Sequence, residues 1–497
     1  MLRPDCAATV LLAALLAGCA VSPSDPGPAR PDAPWQPVHA APVQGFVLPP
    51  QPALAELPAT ADVDPAHPYT LPELIDLAQQ HHPATRIAWM EARNAALAAG
   101  AAQRSGLPRL SATVLAGHQQ RRGRGEARWL SGDERSSGQG ALGVLSLQWL
   151  LFDFGERQAL AEGAEQGAVV AGIGFTAAHQ QLIESVSLAY YALGAAQARL
   201  AVAQRSLANS RLVLDAAQAR QRQGVGTVID IAQARQGVAQ AELARVQAEG
   251  RARDQHHALI AALGISPLTP LRVAPAPTPK LGPATLAPIE RLVADALARR
   301  PDVQAAHAAV LASRANAQAA EAARKPKVFM AASASRSSGG ARITALPALA
   351  GGQDGPALDL SGSGSGAGVF VGVTVPLFDG GLRASGQVQA QQRMDIAQAR
   401  LDRARQQAVQ QIVVAQDALR SALAGAQAAE SLQEAAALTH DAALDAYRHG
   451  VGTVTAVALA DTQLAQAGQA LADARAAAQS AAVTLAFATG ALGEAPP

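Results

Sequence analysis

From about Leu71 to Ser105 apolar residues recur at three-to-four spacing: Leu74, Leu77 and Ala78, then Ile87, Met90 and Ala95 beyond an interruption at Pro83. This predicts a helix that Pro108 ends. The period then changes to two. Leu110, Ala112, Val114 and Ala116 alternate with small or polar residues, a charged loop spans Gln119 to Gly138, and a second alternating run covers Leu142 to Leu150. Two half-buried strands in a hairpin are expected. Asp153 fits an N-cap, and no proline interrupts the chain from there to Gly224. About seventy residues of helix would reach about 105 Å, and a helix of about forty residues would run back from the turn at Gly224 to Leu263.

The pattern then repeats. Leu151-Phe152-Asp153-Phe154-Gly155-Glu156-Arg157 recurs as Leu377-Phe378-Asp379-Gly380-Gly381-Leu382-Arg383, and Gly224-Val225-Gly226-Thr227-Val228 recurs as Gly450-Val451-Gly452-Thr453-Val454, both displaced by 226 residues. A shared register over so long a segment marks a duplication. Pro83 and Pro108 match Pro301 and Pro326 at a displacement of 218, so the second copy has eight extra residues between Pro326 and Leu377, as a surface loop allows. Its strands fall at Val328 to Ala334 and Val369 to Val375, its loop at Ser337 to Ser365, its cap at Asp379, and its last helix ends at Leu492. The helices before each hairpin and after each turn together match the long one in length. Stacked end to end they would lie beside it, which predicts a tube wall of antiparallel coiled-coil helices with Ala, Leu and Val facing neighbours. The fold class is mainly α with a membrane β-barrel.

Composition sharpens this reading. Apolar residues make up 49% of the chain but aromatics only 3%, so the core is built from small side chains that let helices approach closely. With 40 basic and 39 acidic residues, nothing points to a nucleic acid. Arg3, the apolar run Ala7 to Leu16 and Leu16-Ala17-Gly18-Cys19 make residues 1–18 a secretory signal peptide. The last four resemble a bacterial lipobox, which implies acylation of Cys19, with Ala20 fitting a lipoprotein sent to the outer membrane. An ordinary signal peptide with an incidental cysteine is the plainer alternative. Cys6 lies in the removed segment, leaving Cys19 no disulfide partner. Prolines recur through 19–69, a polyproline-like tether, and again through 267–285, a linker dividing the copies 70–266 and 286–497.

No stretch offers the 18 or more apolar residues of a membrane helix, so any span must use strands. Strands of about ten residues suffice at a tilt. Four strands cannot close, and an open sheet in lipid would leave two unsatisfied edges, so other copies must complete the barrel. Three chains give twelve strands and room for a pore. Trp129 and Trp149 fall where an interfacial belt is expected, or are ordinary buried tryptophans.

These residues resemble the TolC family of outer membrane factors, in particular its lipoprotein branch of the NodT or OprM type. The carriers are the duplication, Leu151-Phe152-Asp153 with Gly155, Pro376-Leu377-Phe378-Asp379-Gly380-Gly381 and the two Gly-Val-Gly-Thr turns. The resemblance implies a homotrimeric duct with a twelve-stranded barrel in outer-membrane lipid and an α-helical periplasmic tunnel. Gly224, Val225, Gly226, Thr227 and Gly450, Val451, Gly452, Thr453 would touch a periplasmic adaptor (membrane fusion) protein serving an inner-membrane pump of the RND type. Family members carry an acid six positions after each turn, at a cation-sensitive gate. Asp230 keeps it, whereas Ala456 and Leu459 replace acids in the second copy and the nearest acid is Asp461. Asp230 could instead face outward. Passive export of drugs, toxic compounds or metal ions is one reading; the outer channel of a type I protein secretion system is a second, and a lipid-anchored coiled-coil scaffold a third.

Little else suggests chemistry. His81-His82 and His256-His257 lack partners at metal-ligand spacing. Gly362-Ser363-Gly364-Ser365-Gly366 lacks the lysine of a phosphate loop and reads as an external loop, and Arg121, Arg122 and Arg124 sit in the other, facing lipopolysaccharide phosphate or merely water. No catalytic constellation, cofactor or metal site is expected, and the chain is not an enzyme.

Overall fold

The computed structural model describes residues 60–123, 134–275, 288–338 and 364–492, with short pieces at 31–32, 35, 45–48 and 50–55. Residues 1–60 form one unit and 61–497 another. In the first a single 3-10 turn, Pro52–Leu54, is described, so the signal segment and Cys19 lie outside the described residues.

The second unit opens with β1 (Pro68–Tyr69), α1 (Leu71–His81) and α2 (Pro83–Arg104), the helices breaking at Pro83. Strands β2 (Arg109–Gly123) and β3 (Glu134–Phe152) lead into α3 (Glu156–Arg222) and α4 (Val228–Ala262). After β4 (Arg272–Val273) come α5 (Ile289–Arg299), α6 (Pro301–Ala322), β5 (Lys327–Ser338), β6 (Gly364–Thr374), α7 (Leu382–Arg448) and α8 (Val454–Ala488). Corresponding helices have equal lengths in the two copies, 11, 22, 67 and 35 residues. The linker is not featureless: β4 pairs in parallel with β1, and Tyr190 donates to the Ala274 carbonyl at 3.2 Å.

Helix α3 packs against α2 and α4 of its own copy and α6 and α8 of the other, while α7 packs against α6 and α8. Buried positions recur every seven residues: Ala196, Ala203, Ser210 and Ala217 on α3, Ala234, Ala241 and Ala248 on α4, Ala308, Ala315 and Ala322 on α6. A period of seven keeps one seam against a partner in a left-handed supercoil, and alanine in that seam lets backbones approach closely. The short helices meet end to end midway along the long ones. Leu259, Ile260 and Leu263 at the end of α4 share a core with Leu74 and Ala78 of α1 and Leu182, Val186, Tyr190 and Leu193 of α3. Truncating one of these buried leucines to alanine should cost about 2–5 kcal/mol. Each joint closes on an X-Pro step: a Cβ at Gly264 would come within 2.5 Å of the His82 ring, and one at Gly490 within 3.3 Å of the Arg300 backbone. Arg300 adds a bond to the Ala488 carbonyl at 2.7 Å, capping α8.

The sheet runs β2-β3-β5-β6, every neighbour antiparallel, with β3 and β5 joining the two hairpins. The first hairpin is longer than expected. Its strands have 15 and 19 residues, and pairing continues through Gly123 and Glu134, inside the expected loop. Alternation reveals a strand only where one face is apolar, whereas backbone pairing needs no such signal. Arg121 and Arg122 therefore lie in β2, and Gly364, Ser365 and Gly366 in β6, rather than in loops; Trp129 and Arg124 are outside the described residues.

Candidate functional site

The pairing register sorts the strand residues onto two faces. Leu110 stands opposite Leu147, Leu147 opposite Ala332 and Ala332 opposite Val369; Trp149 pairs with Met330, and Met330 with Val371. This face is apolar except at its far end, where Arg336 and Ser365 stand in the row of Val114 and Gly143, and it is uncovered: Val114 is 79% exposed and Val369 69%. The other face carries Arg109 opposite Gln148, Ser111 opposite Ser146, then Ser333 opposite Gly368 and Ser335 opposite Gly366. Leu115, Leu142, Val144 and Leu150 are apolar exceptions, and Phe329 and Phe370 lie over Gly372 and Gly368. Among the described residues the outer strands β2 and β6 each leave one edge without a neighbour. Trp149 is 37% exposed on the apolar face, and its indole N–H donates to the Gly106 carbonyl at 3.0 Å.

Where the sheet meets the helices, the formal caps of α3 and α7 are Gly155 and Gly381, at φ +89° and +86°, not Asp153 and Asp379. The aspartates act from two residues further back. Asp153 accepts from the Gly155 and Arg157 amides at 3.2 and 3.0 Å and from the Arg157 guanidinium at 2.8 Å. Burial pushes the Asp153 carboxyl up, but these bonds outweigh it and hold it below the usual aspartate range. Asp379 repeats the two amide bonds.

At the far end of the long helices the two turns share one backbone. Gly224 and Gly450 sit at φ +76° and +85°, a left-handed step that favours glycine. The next two amides fold back onto one carbonyl, that of Arg220 in the first turn and Ala446 in the second. The second glycine is required by proximity: a Cβ at Gly226 would stand 2.7 Å from the Gln221 nitrogen, and one at Gly452 2.9 Å from the Tyr447 nitrogen. Thr227 and Thr453 then cap α4 and α8, accepting from the amides of Asp230 and Ala456 at 3.1 and 3.2 Å. Asp230 returns the favour by accepting from the Thr227 amide at 3.0 Å, a complete capping box that Ala456 cannot make.

The turns are also fastened to each other, by residues that motif spacing did not single out. Arg220 of α3 donates to the Tyr447 carbonyl at 2.7 Å, and its guanidinium lies over the Tyr447 ring at 4.9 Å. Burial raises the Tyr447 phenol, and the nearby Asp230 carboxylate raises it further against the opposing pull of Arg220. Beneath them Val213, Ala217, Ile231, Ala234, Leu444, Val454 and Val457 join all four helices in one core. The structure thus brings Asp230, Arg220 and Tyr447 to one end of the helical wall. The histidine pairs are structural: His82 accepts from the Ala84 amide at 3.0 Å, and the rings of His256 and His257 lie edge to face. Among the described residues no helix is long and apolar enough to cross a membrane.

Comparison with known proteins agrees with this architecture. A family model described as outer membrane efflux protein matches residues 74–265 and 292–491, one match per copy. Protein CyaE of Bordetella pertussis is 28% identical over 356 residues, covering 70% of this chain and 68% of CyaE. The pyoverdine export outer membrane protein OpmQ of Pseudomonas putida is 33% identical over 150 residues, 30% of this chain and 31% of OpmQ. Among solved structures, the outer membrane protein VceC of Vibrio cholerae superposes with a TM-score of 0.69 at 21% identity, covering 84% of this chain and 96% of VceC. The outer-membrane channel OprN gives 0.70 at 20% identity, covering 89% and 98%. The two matched segments together span well over half of the sequence, and the chain belongs to the outer membrane efflux protein family.

Proposed function

We propose that three copies of this chain form a passive conduit across the outer membrane, joined below to a periplasmic tunnel that receives cargo from an adaptor protein and an inner-membrane pump. The single observation that carries this reading is the sheet with one apolar face, one small and polar face, and two unpaired edges. In lipid each unsatisfied backbone group costs several kcal/mol, so β6 of one copy pairs with β2 of the next until twelve strands close. The apolar face then meets lipid, and the face of Ser111, Ser146, Ser333 and Gly368 lines the pore.

The twin Gly-Val-Gly-Thr turns are the ends offered to the adaptor, and Asp230 with Arg220 and Tyr447 forms the periplasmic gate. Small-molecule cargo fits the likeness to a pyoverdine export protein, with an inner-membrane pump of the RND type supplying it; protein secretion through a type I system is the second reading. Acylation at Cys19 would anchor the tether to the same membrane. Planar bilayers test the conduit directly: detergent-extracted protein should migrate as a heat-dissociable trimer and conduct ions. A monomer soluble without detergent once the acyl group is removed would overturn it. Deletion of the gene followed by profiling of exported small molecules and proteins separates the two cargo classes.

A further inference from the structure

The duplication supplies a template for the contact between neighbouring chains. Within one chain β3 of the first repeat meets β5 of the second, with Leu147 opposite Ala332 and Phe152 opposite Val328. Shifted by the displacements of 226 and 218, that register sets β6 and the residues after it against β2 of the next chain, with Val373 opposite Val114 and Phe378 opposite Leu110. All four are bare in the single chain, at 62%, 79%, 91% and 65% exposure, so the apolar face continues across the seam. One feature of the internal joint does not carry over. At its foot Lys327 pairs with Glu156 at 2.5 Å. The counterpart of Lys327 is Arg109, but the counterpart of Glu156 is Leu382, so between chains the cation meets an apolar side chain. Asp153 and Asp379, further acids at the foot of the sheet, are paired with Arg157 and Arg383. Arg109 is exposed, on the face of Ser111 and Ser146, and among the described residues it has no acidic partner. Over residues 109–117 and the strand segments paired with them, that face carries no acid.

We propose that the three Arg109 guanidiniums of the trimer form an uncompensated cationic ring at the foot of the barrel, a selectivity site that favours anionic solutes. The ring rests on the reading of the chain as a three-copy conduit with this face toward the pore. A narrow lumen with low-dielectric walls focuses the field of the charges that line it, so a ring of one sign concentrates counter-ions and repels ions of its own sign. Lys327 does not add to the ring, because Glu156 neutralises it. A carboxylate at position 382 would do the same for Arg109. The solutes so favoured are small carboxylates, phosphates and other hydrated anions, drawn by charge rather than held in a closed pocket.

The test is the reversal potential of the full trimer in planar bilayers across a potassium chloride gradient. Whatever Asp230 contributes at the far end is common to wild type and variants and cancels in their comparison. Arg109→Gln should lower the chloride-to-potassium permeability ratio by roughly two- to fivefold, most at low salt, while Arg109→Lys should leave it near the wild-type value. Leu382→Glu, which supplies the missing partner with Arg109 untouched, should lower the ratio as well, and Glu156→Gln, which frees Lys327, should raise it. Citrate added from the exterior side should obstruct the wild-type current and spare that of Arg109→Gln. A ratio unmoved by Arg109→Gln in trimers that conduct overturns the ring and leaves the conduit standing. Wild-type current indifferent to citrate overturns it too, whatever any variant does to folding. Wild-type trimers that conduct nothing overturn the conduit and the ring together.

Discussion

The two tips are copies of one turn that have kept its geometry and parted in their chemistry. Both use a glycine at positive φ, a second glycine with no room for a Cβ, and a threonine cap. Yet the first carries Asp230 where the second carries Ala456, and Arg220, which grips Tyr447, stands where the second copy has Ala446. What the backbone needs is shared, because a 67-residue helix must reverse in five residues and stay beside its partner. What the side chains add differs: the second turn carries no counterpart to Asp230 or Arg220. The second tip is fastened by the first rather than by a mirror image of it.

The largest effect should come from breaking the shared part. In Gly226→Ala or Gly452→Ala the new Cβ meets backbone, which cannot rotate aside, so each turn must open at a cost of about 3 kcal/mol or more. Gly224→Ala meets open space and suffers only the left-handed backbone, about 1–2 kcal/mol. Limited proteolysis and hydrogen exchange at the tip should rank the variants in that order in both copies. Equal sensitivity of Gly224→Ala and Gly226→Ala would contradict the proximity argument.

Next in size is the link between the tips. Arg220→Ala removes a charge-assisted bond and the stacking on Tyr447, half-buried at the meeting of four helices, for about 1.5–3 kcal/mol before solvent screening. Since the lost contact joins the two copies, open probability in bilayers should rise while trimer assembly stays intact. Unchanged conductance in Arg220→Ala would remove this contact from the proposed gate.

The sequence exposed the architecture far better than this fastening. Equal displacements of Leu151 and Gly224 fixed the duplication, Pro83 and Pro108 marked the breaks, and alternation at Leu110 to Ala116 and Val369 to Val375 located the strands. Such features are periodic or local, so they survive in a one-dimensional string. The extension of β2 to Gly123 was invisible, since its residues lack an apolar face. Arg220 with Tyr447, and Asp461 with Ser206, Asn209 and Ser210, were missed for another reason: partners more than 220 residues apart meet only once the copies are packed, and no spacing announces them. Asp153 and Asp379 were recognised as capping residues but placed two residues away from the formal cap, because Gly155 and Gly381 themselves take the left-handed step.

The smallest expected effect tests whether the lost acid matters. Asp230 bonds the Thr227 amide while half-buried at the helix start, so Asp230→Ala should cost about 1 kcal/mol of helix capping and leave the turn folded. Its larger consequence is electrostatic: if three Asp230 carboxylates ring a narrow throat, their loss removes a field that draws cations and resists anions. The reciprocal change, Ala456→Asp, gives Thr453 the reverse bond that completes a capping box and adds a second ring. Divalent-cation block should therefore weaken in Asp230→Ala, strengthen in Ala456→Asp and return toward the wild-type value in the double variant. Because a cap alone cannot move ion selectivity, block that follows stability but not charge would place Asp230 on the outer surface and leave the two tips differing in capping alone.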